Sequence, residues 1–409
     1  EERYRTGPGL TGDEILSDLK TGKFAEESVH VNFIYGFYNQ NVIRYHRLYR
    51  VSGGDAYYLD QMLRYAEGIE WILENRPQQL LPEGRRDDPL PNPVAEIPHE
   101  PAAMANFLAH ANAARLLLER AREKGRPRDD PGVLLAKKFL STFVKYADSQ
   151  ISGDFKPFSR KRGAEPDVFE PGEKTKQLMK QFSLPTRAAQ IIEYTPWNQT
   201  FFYFATLTAA TLAMEDLHKI EGGATYQNQI DLYRNIVRAG FWNLQHENIC
   251  VVREGVPYFF HMHTPLRDGE SKTRLGFPMF GAEDVAHSTS GAWHLPFIWE
   301  AGKEFSVSPA LLAGYTNTMA ITNRDRSQTH KNGKPWPRAH LDSPWYLAAA
   351  DVRKGVSSGM KGRYYPMMAF APDIVASNRP FARSKIWEDE TDLNRLYAGY
   401  LYRLWMKRR

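Results

Sequence analysis

The chemistry of this chain has to be sought in polar residues set into apolar helical stretches. No phosphate-binding glycine loop, no GxGxxG after a strand, no GxSxG elbow and no HExxH is present. In "EYTPWNQTFF", Asn198 follows Pro196 and Trp197 in the first turn of a strongly apolar helix. An amide there can donate a hydrogen bond to a substrate carboxylate and stabilise charge developing beside it. It can equally serve as a helix-capping group. In "GAEDVAHSTSGAW", His287 stands four residues after Glu283 and three after Asp284. The helix dipole alone explains the two acids, and a lone helical histidine is commonly a core residue. The run from Ser288 to Ala292 favours the other reading, because it keeps the neighbouring surface small enough for a ligand.

A third stretch, "KPWPRAHLDSPWYLAAAD", carries Arg338, His340, Asp342 and Tyr346 between Trp336 and Trp345. Arginine binds carboxylates through a planar two-pronged contact, and a tyrosine beside such cations can have its pKa lowered enough to act as a base. Plain packing is the alternative for these aromatics. His261 and His263 alternate in "FFHMH" and so share one side of a strand. That suits a substrate rim; a metal site needs further histidine or carboxylate partners, so no metal and no cofactor are expected. Sugar rings stack their apolar faces on aromatic side chains such as Trp197 and Trp293, although a large helical core uses the same inventory.

The elements that must position these residues are helices. "HVNFIYGFYNQNVIRYHRLYRVSGGDAYYLDQMLRYAEGIEWILENRP" reads as two, about Val31 to Val51 and Asp55 to Glu74, joined at Ser52-Gly53-Gly54. A second pair lies between Pro101 and Gly153, a third between Thr195 and Glu247, and a fourth runs from Glu283 to Asp325. "SPWYLAAADVRKG" and the final "DETDLNRLYAGYLYRLWMKRR" belong to later ones. A helix pair every 40 to 50 residues or so, with degenerate sequence, signals a repeated helical architecture. The irregular stretches Arg76 to His99 and Phe155 to Pro185 argue for a closed toroid whose rim carries function. "ICVVREGVPYFFHMHTP" alternates like a short hairpin turning at Glu254-Gly255.

Composition bounds the function. The 409 residues, 42% of them hydrophobic, can bury a large core, and a net charge of +5 suits an anionic partner. The basic residues are too dispersed for nucleic acid, and no apolar run reaches membrane-spanning length. The single cysteine, Cys250, excludes a disulfide framework within the chain and is expected in the core. Glu1 stands where a start methionine would, which fits a secreted or periplasmic protein whose signal has been removed.

Helical hairpins in series, "PWNQT" and "EDVAHS" opening two of the helices, and "YTNTM" followed by "PWYLAAAD" together resemble the (α/α) toroid polysaccharide lyases that cleave glucuronan and alginate. The similarity spans most of Val31 to Asp351. It implies one toroid catalytic domain over residues 1–409. It also implies β-elimination on a uronic-acid polymer, with Asn198 and His287 neutralising the substrate carboxylate and Arg338 assisting. Tyr346 is implied as base, acid or both. The chain departs from the pattern around "HLDSPWY", so Tyr315 or Tyr194 can take that part, with His263 in reserve. His261, Trp197 and Trp293 complete the implied substrate rim. Three alternatives remain: a toroid glycoside hydrolase using two of Glu283, Asp284, Asp342 and Glu193; a sugar epimerase; and a glycan-binding protein without catalysis.

Overall fold

The computed structural model describes residues 11–21, 39–75, 104, 107–152, 171–195, 197–247, 249–253, 256–260, 285–317, 367, 369–370 and 388–409. These residues are mostly helical, which places the chain in the all-α class. They fall into two compact units, one of Glu1–Thr195 with Phe202–Gly240 and the other of Pro196–Phe201 with Phe241–Arg409.

The first unit is built from antiparallel helix pairs. Helix α1 (Gly12–Lys20) packs on α3 (Ala56–Asn75), where Gln61 Nε2 donates to Asp13 at 2.9 Å. Helix α2 (Asn39–Val51) pairs with α3 through a turn in which Gly53 and Gly54 take φ of 76° and 96°, a conformation other residues resist. Tyr45 of α2 meets Tyr58 and Tyr65 of α3 at ring separations of 6.4 and 6.1 Å. Helices α4 (Leu108–Glu123) and α5 (Pro131–Ser152) form the next pair, with Phe107 stacked on Tyr146 at 4.3 Å. The Arg50 guanidinium ties α2 to α4 by donating to both Glu119 oxygens, at 2.5 and 2.7 Å.

Helices α6 (Glu173–Phe182) and α7 (Thr186–Tyr194) follow. Helix α6 lies in the second half of the stretch Phe155 to Pro185, which the sequence pattern reads as irregular. Its apolar content is small, yet Leu178 is fully buried and left-handed Ser183 ends it. Helix α8 (Trp197–Glu221) is apolar nearly all round. Its buried Thr206 and Thr211 satisfy their hydroxyls on the carbonyls of Phe202 and Leu207, one turn back. Helix α9 (Gln227–Glu247) follows, and its Tyr233 donates to Asp148 of α5 at 3.0 Å.

In the second unit, strands β1 (Ile249–Arg253) and β2 (Val256–Phe260) pair antiparallel with Val251 opposite Tyr258. Helix α10 (Val285–Ala301) is buried throughout residues 291–300 and contains Pro296, which has no N–H to offer the preceding turn. Helix α11 (309–317) and helix α12 (Glu388–Arg408) complete the unit. Helix α12 is fastened to α10 twice. Tyr397 donates to the buried Glu300 carboxylate at 2.5 Å, and the Arg408 guanidinium donates to the Trp299 and Glu300 carbonyls at 3.0 and 2.7 Å. Arg408 thereby caps the last turn of α10, sharing the Trp299 carbonyl with the Gly302 N–H, which donates to it at 3.2 Å.

Candidate functional site

Two helix starts that fall in the second unit carry residues singled out by their chemistry. Asn198 is the second residue of α8, and His287 is the third residue of α10. A first helical turn carries N–H groups without intrahelical acceptors and the positive end of the dipole, which favours a carboxylate. The side chains of Asn198 and His287 lie outside the described residues, as do Glu283 and Asp284.

The two first turns belong to packed segments. The Phe201 ring, one turn into α8, lies against Gly291, one turn beyond His287. A methyl group added at Gly291 would sit 3.4 Å from the ring and 3.5 Å from Leu295. Trp197 stacks on Phe201 at 6.1 Å with 30° between planes. Trp197 and Trp293 are 0% and 2% exposed, so neither presents a ring face to a sugar. Thr200, on the next turn of α8, is fully buried.

A second juxtaposition involves Tyr315. Asn317 Nδ2 donates to the Pro257 carbonyl at 2.8 Å, and the Phe259 ring fills the space where a Gly314 side chain would be. Helix α11 is thereby seated on β2, the strand that leads into His261 and His263. Tyr315 itself is 9% exposed. His261, His263, Arg338, Tyr346, His340 and Asp342 lie outside the described residues, and so does the side chain of Tyr194, the last residue of α7. Glu193, a candidate acid for a hydrolase, is 1% exposed and accepts a hydrogen bond from the Thr175 hydroxyl, in a closed core setting.

The sequence reading passed over a buried histidine–carboxylate pair in the first unit. His110 of α4, 0% exposed between the rings of Phe107 and Phe139, meets Glu70 of α3 at 3.0 Å. Burial holds the His110 pKa below its usual value despite the pull of Glu70. The hydrogen bond from His110 does most to hold the Glu70 carboxyl below its own usual value. Buried Arg44, His46 and Arg47 on α2 and Arg115 on α4 were missed as well. In "VIRYHRLYR" the basic positions interleave with apolar ones, and that pattern was the available signal. Among the described residues, no group of three or more His, Cys, Asp or Glu is arranged to hold a metal ion.

Compared with protein-family models, with curated proteins and with solved structures, the chain matches none.

Proposed function

We propose that this protein is a polysaccharide lyase acting on a uronic-acid polymer, glucuronan or alginate, by β-elimination. The observation that supports this best is the packing of Phe201 on Gly291, which joins the segments carrying Asn198 and His287 one turn inside two helix starts. In this reading the two helix N-termini bind the substrate carboxylate together with the Asn198 amide and the His287 imidazole. The proton on C5 of a uronate is only weakly acidic until the adjacent carboxylate is neutralised. In this reading Asn198, His287 and Arg338 carry out that neutralisation. Tyr346 removes the C5 proton and returns one to the departing O4, leaving a 4,5-unsaturated uronate at the new end. The same reading takes the successive antiparallel helix pairs as parts of an (α/α) toroid in a secreted or periplasmic enzyme.

The test is to follow the ultraviolet absorbance of the conjugated product while the purified chain meets glucuronan, polymannuronate, polyguluronate and a neutral glucan. Absorbance should rise on a uronate, and His287→Ala or Asn198→Ala should lower kcat by about 10²–10³-fold. New reducing ends without that absorbance would point to hydrolysis, and silence in both assays would sink the enzymatic reading on these polymers.

A further inference from the structure

Helix α12 carries an exposed stripe that core packing does not explain. Four large apolar side chains stand well exposed among the described residues, and three of them are on this helix: Leu396 at 52%, Tyr402 at 40% and Met406 at 48%. Isolated exposed apolar residues are ordinary, whereas several on one face mark a contact surface. The opposite face is already engaged, with Leu393, Asn394, Tyr397 and Leu401 buried and Tyr397 bonded to Glu300. Helical spacing puts Glu388, Asp392, Leu396, Gly399, Arg403 and Met406 along one line, with Tyr402 beside it.

We propose that this stripe is the interface of a homodimer, occupied by α12 of a second copy lying antiparallel. The charges along the helix argue for a second copy. Its sequence opens with Glu388, Asp389, Glu390 and Asp392 and closes with Arg403, Lys407, Arg408 and Arg409. A helix acidic at one end and basic at the other is complementary to itself only when reversed, the arrangement a two-fold axis produces. An anionic lipid surface would meet the acidic end with repulsion. With the axis between Tyr397 and Ala398, Asp392 lies opposite the partner's Arg403, Glu388 opposite the partner's Lys407, and Leu396 opposite the partner's Gly399. Among the described residues, the group nearest the position of a Gly399 side chain is the Arg403 guanidinium of the same helix, at 3.6 Å, so Gly399 adds no side chain of its own against an inserting leucine.

Sedimentation equilibrium of the full chain tests the pairing. The wild type should be a dimer. Arg403→Asp should weaken it by about tenfold or more, since two symmetry-related contacts turn from attractive to repulsive. Asp392→Arg added to that variant should restore the affinity. Leu396→Glu should dissociate the dimer on its own, and circular dichroism should show wild-type helicity for each variant. A monomer at every concentration would overturn the proposal, as would a dimer indifferent to Arg403→Asp and Leu396→Glu, or a loss that the double variant does not repair. A monomer that pellets with phosphatidylglycerol vesicles would overturn it in favour of a lipid surface.

Discussion

His110 and Glu70 make the stability of the first unit depend on acid. The folded-state pKa of His110 is depressed, so above its unfolded pKa of about 6.5 the imidazole is neutral in both states and costs nothing. Below that value the unfolded chain takes up a proton that the folded chain resists, and stability falls. Glu70 acts in the same direction at lower pH, because its depressed pKa contributes stability that is lost only as the pH falls below the usual carboxylate value, beneath the range in which His110 acts. The melting temperature should therefore drop between about pH 7 and about pH 5, and His110→Gln should flatten that drop while lowering the value at about pH 7. Differential scanning calorimetry across pH decides this, and an unchanged slope in the variant would refute the assignment. Asn243 gives a second prediction at this scale. It is 0% exposed, and neither amide atom has a hydrogen-bond partner among the described residues. Asn243→Leu should raise stability by about 1 kcal/mol, read from the urea midpoint, because it removes an unsatisfied buried amide.

Among elements, three glycines sort by what surrounds them. A methyl group at Gly240 of α9 would overlap the Phe204 ring, and one at Gly314 of α11 would overlap Phe259. Alanine at either position should cost about 1–3 kcal/mol through forced repacking. Gly291 is different, since its added methyl group would stand at ordinary contact distance from Phe201 and Leu295. Gly291→Ala should be neutral or stabilising by up to about 1 kcal/mol, from helix propensity. Denaturant titrations of the three variants test the ordering, and a large loss at Gly291 would show that the α8 and α10 starts are packed more tightly than this. Tyr397→Phe belongs here too. It strips a donor from the buried Glu300 carboxylate and should cost about 1–3 kcal/mol.

At the scale of the whole molecule, a net charge of +5 gives a long-range attraction for polyanions that salt weakens. If the substrate is a polyuronate, raising ionic strength from about 0.05 M to about 0.5 M should raise KM several-fold and leave kcat nearly unchanged. A KM indifferent to salt would count against an acidic polymer. No helix among the described residues is long and apolar enough to cross a membrane.

Helix pairs were legible in the sequence because the three-to-four spacing of apolar residues must face a core whatever the fold. The turn at Gly53-Gly54 and the start of α8 at Trp197 follow from local chemistry for the same reason. The sequence also marked Asn198 and His287 as polar residues at helix starts. Helix α6 was missed although Leu178, Met179 and Phe182 recur at helical spacing, because ten residues set between irregular polar stretches show that spacing for little more than one turn. Tertiary packing alone decided that Trp197 and Trp293 turn inward, that Phe201 meets Gly291, and that Glu70 reaches His110 from another helix. Each of these depends on partners distant in the chain. Local pattern fixes which face a helix buries, but only the packed structure determines what that face meets.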